Sequence, residues 1–108
     1  MSSLSALADP TRRRIVELLS RGEQAAGDIV AQFELSAPAI SQHLKALRDA
    51  GLVRVRVDGQ RRVYSLEPRG LDEIDDWVKR VRGFWNERLD ALERELGMLD
   101  QSEQGERR

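Results

Sequence analysis

A chain of 108 residues with 18 basic and 19 acidic side chains has room for one domain of ordinary size. It contains no cysteine, which excludes disulfides, thiolate metal sites and cysteine nucleophiles. No stretch approaches the roughly 20 apolar residues that cross a bilayer, and the first residues lack the basic and apolar segments of a secretion signal. We therefore expect a cytoplasmic protein with no membrane partner.

The N-terminal residues predict a short helical segment followed by a capped helix. Leu4 and Leu7 lie on the short segment. Asp9 and Pro10 are typical of a helix start, because aspartate accepts from free N–H groups and proline needs no N–H at the first helical position. Gly22 is expected to end this helix. Its apolar stripe consists of Ile15, Leu18 and Leu19.

Two more helices are predicted before residue 52. The first covers about residues 25–33, and the second begins at the cap Ser36, tolerates Pro38 in its first turn and ends at Gly51. The positions expected to face the core are Ile29, Val30, Phe33, Ile40, Leu44 and Leu47. Two short helices with a tight connection make a helix-turn-helix candidate, whose second member we call the recognition helix.

Residues 52–66 predict a β-hairpin. Residues 52–57 alternate between apolar and charged side chains, and Asp58-Gly59 is typical of a two-residue turn, so that residues 60–66 form the returning strand. This turn would place Arg56 directly opposite Arg61, and like charges facing each other across a ladder are destabilising. We therefore expect an anionic partner, such as the backbone or minor groove of DNA, to contact the hairpin as a wing.

The charges of the chain are unevenly distributed. Residues 36–66 carry six bases against two acids, whereas residues 67–108 carry eight bases against twelve acids. A basic patch on one face indicates nucleic-acid binding even when the net charge is −1. Gln42 can pair with adenine, and Lys45 can neutralise a phosphate. The predicted DNA-contacting residues are Ser36, Ala37, Ser41, Gln42, His43, Lys45, Arg48, Arg54, Arg56, Arg61 and Arg62.

After Pro68, residues from about 70 to 99 predict one long helix with apolar side chains every three or four positions. A helix of about 28 residues is roughly 42 Å long, which is longer than so small a domain can cover, so we expect a partner chain. The expected dimer contacts on this helix are Leu71, Ile74, Val78, Val81, Trp85, Leu89 and Leu92. Residues 1–99 would form the domain, and the polar residues 100–108 are predicted to be disordered.

Three spaced motifs resemble the ArsR/SmtB family of winged-helix repressors. They are LADPTRR at 7–13, SQHLKxLxxAGLV at 41–53, and DG followed by YxL between 58 and 66. FWNERLxxL at 84–92 is similar to a subgroup of that family that lacks metal sites. Element order and resemblance both predict a mainly α winged helix-turn-helix fold with a small β-hairpin. The resemblance further implies a homodimer that represses transcription by binding an inverted repeat in double-stranded DNA. Because the first and last helices form the dimer in this family, the resemblance adds Leu4 and Leu7 to the expected dimer contacts.

The metal sites of the family are not expected in this chain. Ala25 and Gly27 stand where the arsenic-type motif has two cysteines, and no histidine follows His43 to form the zinc-type site of the last helix. We therefore expect no cofactor and no metal sensing. His43 itself is open to two interpretations, one as a residue facing DNA and the other as a packing residue at the helix boundary.

Two alternatives to this function stay open. One is a protein-interaction module on a winged-helix scaffold, because a fold does not fix a function. The other is a repressor released by a small organic inducer, bound near Trp77, Phe84 or Trp85. An enzyme is not expected, since the chain has one histidine, no cysteine and no glycine-rich phosphate loop.

Overall fold

A computed structural model describes residues 2–106, with side chains described as far as residue 98. The chain forms two units, Met1–Ile74 and Asp75–Arg108. In chain order the elements are α1 (Ser3–Ala6), α2 (Pro10–Leu19), β1 (Gln24–Ala25), α3 (Ala26–Val30), α4 (Ala37–Asp49), β2 (Val53–Asp58), β3 (Arg61–Leu66) and α5 (Pro68–Glu106). The mainly helical winged helix-turn-helix fold predicted from the sequence is confirmed.

Helix α2 begins where the sequence predicts. The Asp9 carboxylate accepts hydrogen bonds from the backbone N–H groups of Thr11 at 2.8 Å and Arg12 at 3.1 Å. These bonds satisfy donors that have no partner within the first turn of a helix. The helix ends at Leu19, and Gly22 follows with a φ of 142°, a backbone conformation that favours glycine.

Helix α4, the recognition helix, is also capped as predicted. The Ser36 hydroxyl accepts from the backbone N–H of Ala39 at 3.2 Å, and Pro38 lies in the first turn. Gly51 follows the helix with a φ of 76°, so its left-handed conformation ends α4 at the expected glycine. Both ends of α4 are therefore determined by residues close to them in the sequence, Ser36 at the start and Gly51 at the end.

The sheet has three strands where the sequence predicts only two. The strand order is β1-β3-β2, and all neighbours are antiparallel. Gln24 pairs with Tyr64 and Ala25 pairs with Val63. Strand β1 was not predicted because two residues are too few to show an alternation, and it forms by covering the otherwise open edge of β3. Helix α3, Ala26–Val30, is shorter at both ends than the predicted 25–33, and β1 accounts for its later start.

The first unit has one apolar core, formed between the helices and the inner side of the sheet. Phe33 lies beyond the end of α3 but still packs against this core. The fully or nearly fully buried residues of the core are Ala6, Ile15, Leu19, Ile29, Ile40, Leu44, Leu47, Ala50, Leu52, Val53 and Tyr64. Helices α2, α3 and α4 each contribute the apolar stripe that the sequence predicts.

Gly70, in the first turn of α5, makes a close backbone approach to the end of α4. A Cβ atom at this position would overlap the carbonyl of Gly51 and come within 2.9 Å of the side chain of Leu52. Nearby, the Ser3 hydroxyl donates to the Glu73 carboxylate at 2.8 Å, which joins α1 to the same part of α5. These contacts lie within the first unit and hold residues 68–74 of α5 against α1 and the end of α4.

Helix α5 is longer at both ends than predicted. It begins at Pro68 rather than near residue 70, because proline is accommodated at a first helical position. It continues to Glu106, past the predicted end near residue 99 and into the stretch predicted to be disordered. Extending an existing helix adds one hydrogen bond for each residue fixed, and residues 100–106 contain no proline. Residues 107 and 108 lie outside the described residues.

Candidate nucleic-acid interface

Helix α4 presents a polar face to solvent. Its inner side is formed by Ile40, Leu44 and Leu47, which are at most 2% exposed. The exposed residues of this helix and its cap include Ser36, Ala37, Ser41, Gln42, Lys45 and Arg48, together with Pro38 and the acidic Asp49. Every α4 side chain that the sequence assigns to DNA contact is therefore accessible, with the exception of His43.

His43 is half-buried and lies near the start of α2. The pKa of Asp9 is held below its ordinary value, chiefly because its carboxylate accepts a hydrogen bond from the backbone N–H of Arg12, and the charge of His43 adds to the effect. Of the two interpretations left open by the sequence, this position favours a packing residue at the boundary of α4.

The turn of the wing lies one residue later than the sequence predicts. Its two-residue loop consists of Gly59 and Gln60, so that Asp58 and Arg61 are directly opposite each other. Gly59 has a φ of 63°, while Asp58 and Gln60 do not have positive φ angles. Glycine at the first central position is typical of the type II′ turn, whereas the prediction took Asp58 as the first central residue.

The predicted pairing of Arg56 with Arg61 is therefore wrong. Arg56 lies opposite Val63, and Arg61 lies opposite the acidic Asp58. Since no like charges face each other at these positions, the ladder does not need an anionic partner to offset repulsion. Like-charge repulsion within the wing therefore does not support DNA binding.

The alternation of side chains along β2 and β3 gives the wing two faces. We define the core-facing face as Val53, Val55, Val57, Arg62, Tyr64 and Leu66. We define the outer face as Arg54, Arg56, Asp58, Arg61, Val63 and Ser65. The arginines that the sequence groups together are thus divided, with Arg62 alone among them on the core-facing face.

Two arginines of the outer face lie next to carboxylates. The Arg56 guanidinium donates to Glu23 Oε1 at 2.7 Å and lies 3.9 Å from Asp58. The Arg54 guanidinium lies 3.9 Å from Glu67. Glu23 and Glu67 were not singled out from the sequence, because both are distant along the chain from the strand residues that they meet.

The Glu23–Arg56 contact spans the sheet from one edge to the other. Arg56 is on β2, Glu23 immediately precedes β1, and β3 lies between these strands. The hydrogen bond and charge of Arg56 hold the pKa of Glu23 below its usual range, and the same contact raises the pKa of Arg56. The guanidinium of Arg56 is therefore engaged within the protein.

Arg62 occupies a different environment. With four polar side chains and Leu44, it lines a hollow of about 200 Å³ between α4 and β3, which we call the α4–β3 hollow. The polar residues that line it are Ser41, Lys45, Arg48, Arg62 and Tyr64. Among the described side chains, no carboxylate forms an ion pair with Lys45, Arg48 or Arg62. Tyr64 was matched only as part of a family motif, and its place beside these cations follows from the β3 register.

The residues expected at a dimer interface fall into two groups. Leu7, Leu71 and Ile74 are partly buried against the core of their own unit, whereas Leu4 is 42% exposed. In the second unit Val78 is half-buried. The large apolar residues exposed there are Trp77, Val81, Phe84, Trp85, Leu89, Leu92, Leu96 and Met98. Residues 77–98 of α5 therefore carry a long uncovered apolar surface.

Neither a metal site nor a membrane span is found among the described residues. No group of three or more histidine, aspartate and glutamate side chains is arranged there to hold a metal ion. None of the helices combines the length and the apolar character that a membrane span requires.

Comparison with known proteins shows that this chain is similar in sequence to bacterial regulatory proteins. The family model of bacterial regulatory proteins of the arsR family matches residues 9–55. The HTH-type transcriptional regulator Rv2034 of Mycobacterium tuberculosis is 48% identical over 78% of this chain and 76% of that protein. The transcriptional repressor SdpR of Bacillus subtilis is 41% identical over 68% of this chain and 81% of that protein.

A solved structure shows the same fold. An ArsR-like transcriptional regulator from Rhodococcus sp. RHA1 superimposes with a TM-score of 0.74 at 31% sequence identity. The match covers 84% of this chain and 84% of that one. It therefore extends beyond the residues matched by the family model.

Proposed function

Because this chain belongs to the ArsR family of DNA-binding transcriptional regulators, we propose that it is a cytoplasmic repressor that binds an inverted-repeat operator as a homodimer, without sensing a metal. The family is one of regulators and not of enzymes. The observation that carries the proposal is the exposed face of α4, which adjoins Arg62 of the wing at the α4–β3 hollow. Among the described side chains, no carboxylate forms an ion pair with Lys45, Arg48 or Arg62.

The side chains of α4 suit the two tasks of DNA recognition. Gln42, exposed near the middle of the helix, can make a bidentate pair with adenine, and the methyl group of Ala37 can meet that of thymine. Lys45 and Arg48 lie further along the same exposed side, where they can contact phosphates. The helix would thus read bases with its first half and hold the backbone with its second.

Dimerisation is supported by the apolar surface of α5. Phe84 is 72% exposed and Trp85 is 60% exposed in the single chain. Contiguous apolar surfaces of this kind mark interaction sites, and a second copy presents the same surface about a two-fold axis. A dimer would also give the two recognition helices that an inverted repeat requires.

The absence of metal sensing is proposed from the residue types present. Ala25 in β1 and Gly27 in α3 occupy the places of the arsenic-type ligands, and neither carries a donor atom in its side chain. Regulated binding of zinc, arsenic or cadmium needs thiolates or imidazoles in number. Added metal salts should therefore leave the affinity for DNA unchanged.

The proposal is tested by titrating the protein against the DNA upstream of its own gene. Fluorescence anisotropy with that DNA and with a shuffled duplex of equal composition should show tighter binding to the first. Footprinting on the same DNA should show a protected region with two-fold symmetry. Affinity should fall steeply with salt, because several phosphates are contacted by each subunit. Equal affinity for both duplexes at physiological salt would reject specific repression.

The dimer is tested by a matched pair of substitutions on α5. Val81→Asp places a charge in the apolar surface, whereas Asn86→Asp adds the same charge at an exposed polar position. Sedimentation velocity should show that the first variant is a monomer and that the second remains a dimer. A dimer that survives both substitutions equally would mean that α5 does not form the interface.

Release by a small organic ligand is a second candidate for regulation. The observation in its favour is an open, mainly apolar patch along one side of α5, formed by Val81, Phe84, Trp85 and Arg88. An apolar ligand that binds here should quench tryptophan fluorescence and lower the affinity for DNA together. Quenching without any change in DNA affinity would separate ligand binding from regulation.

A further inference from the structure

The α4–β3 hollow joins two elements that would otherwise contact DNA independently. Ser41, Lys45 and Arg48 are at successive positions i, i+4 and i+7 of α4, so they form one stripe along the helix. Arg62 and Tyr64 are alternate residues of β3 and share its core-facing face. Side chains of both rows line the same hollow.

We propose that this hollow binds a single phosphate group, which in the complex with DNA is one backbone phosphate held jointly by α4 and the wing. The inference rests on the proposed function and adds a defined ligand to it. A shared phosphate would fix the position of the wing relative to the recognition helix and thereby the register in which α4 meets the bases.

The chemistry of the lining favours phosphate. Three cationic residues line the hollow together with Ser41 and Tyr64, and the lining contains no carboxylate. Arginine presents planar pairs of N–H donors that match phosphate oxygens, and lysine acts as a point charge on the same group. Hydroxyl groups can donate to the remaining oxygens. A divalent metal ion would find no anionic ligand among these residues.

Two arginines of the outer face, unlike the cations of the hollow, have acidic partners within the protein. Arg54 and Arg56 lie close to the carboxylates of Glu67 and Glu23, which already offer them an anionic partner. Lys45, Arg48 and Arg62 form no ion pair with a carboxylate among the described side chains, so an entering anion would attract all three without first displacing an internal partner. On the outer face, Arg61 alone among the described arginines is likewise without an ion pair, so the hollow differs in gathering three such cations around one space.

Ethylation interference on the footprinted operator tests the proposal directly. Neutralising individual phosphates should reveal, in each half-site, those on which wild-type binding depends. Arg48→Ala and Arg62→Ala should both abolish the dependence on one and the same phosphate, while the control Arg54→Ala leaves it in place. If the two variants abolish the effects of different phosphates, the shared site is disproved.

The salt dependence of affinity gives a second readout. Each phosphate contact contributes about 0.9 to the slope of log affinity against log salt. Arg48→Ala, Arg62→Ala and the double variant should each lower the slope by about one per subunit, because all three lose the same contact. A double variant that loses about twice as much as either single variant would contradict the proposal. If the wild-type protein shows no footprint, the proposed function itself fails.

The source of the phosphate group is distinguished by titration with inorganic phosphate in the absence of DNA. Saturable heat of binding to the wild-type protein, lost in Arg62→Ala, would mean that the hollow also takes the free anion and that phosphate competes with DNA. No heat, with the shared interference signal present, would assign the site to the DNA backbone alone. No heat together with separate interference signals would overturn the proposal.

Discussion

The two faces of the wing carry the same side chain in contrasting environments. On the outer face, Arg56 and Arg54 lie 2.7 and 3.9 Å from the carboxylates of Glu23 and Glu67. On the core-facing face, Arg62 shares a hollow with two other cations and no carboxylate. The difference shows that a count of arginines overstates the charge available to DNA, because an internal ion pair has to be broken or shared before a phosphate can replace it.

The largest effect expected from this difference is that of Arg62→Ala. We expect affinity for DNA to fall about ten-fold or more, since a hydrogen bond to a charged group contributes about 1.5–3 kcal/mol, and we expect the same loss for every sequence. The matched control is Arg54→Ala, which removes the same charge from the outer face. Anisotropy titrations at several salt concentrations measure both, and equal losses would show that the two faces are equivalent.

A change on α4 should alter sequence preference instead. Gln42→Ala is expected to remove about 1–3 kcal/mol of discrimination at one base position, with little change in the salt slope. Titrations against operators substituted at single positions would locate that base. Lys45→Ala serves as the control, because loss of a phosphate contact weakens all sequences alike. A uniform loss for Gln42→Ala would mean that Gln42 does not read a base.

A smaller effect is expected from Arg56→Ala. Its guanidinium already binds Glu23, and exposed ion pairs contribute little, so affinity for DNA should change less than about three-fold. Glu23→Gln, which frees Arg56 without removing it, should give equal or slightly tighter binding. A loss for Arg56→Ala as large as that for Arg62→Ala would place the outer face in contact with DNA.

The smallest effect concerns stability against acid. Because Arg56 lowers the pKa of Glu23 from its ordinary value of 4.5, the contact stabilises the folded protein above that pH, and the stabilisation is lost as pH falls through the lowered pKa. Urea unfolding from neutral pH to pH 3 should therefore show a slightly shallower loss in Arg56→Ala than in the wild type. Asp9, whose pKa is also lowered, remains in both proteins and provides the common acid response.

Much of the fold could be predicted because its signals are local. The caps Asp9 and Ser36, the glycine at 51 and the apolar stripes each act within a few residues, and the structure confirms them. The exposed face of α4 followed from the same periodicity. These features depend on no contact between distant parts of the chain.

The features that could not be predicted depend on pairing. A shift of the turn by one residue replaced an expected repulsive pair, Arg56 with Arg61, by the opposite charges of Asp58 and Arg61. Strand β1 exists only because β3 offers it an edge. The different environments of Arg56, which binds Glu23, and of Arg62, which lies beside Tyr64 in the hollow, likewise depend on contacts that no local pattern gives.

The close backbone contact at Gly70 couples movements of the first turn of α5 to the end of α4. Its backbone lies so close to the Gly51 carbonyl that a single methyl group would not fit between them. Two backbones in direct contact have little compliance, because no flexible side chain separates them and can change rotamer to absorb a displacement. A displacement of the first turn of α5 would therefore also displace Gly51, the residue that follows the recognition helix.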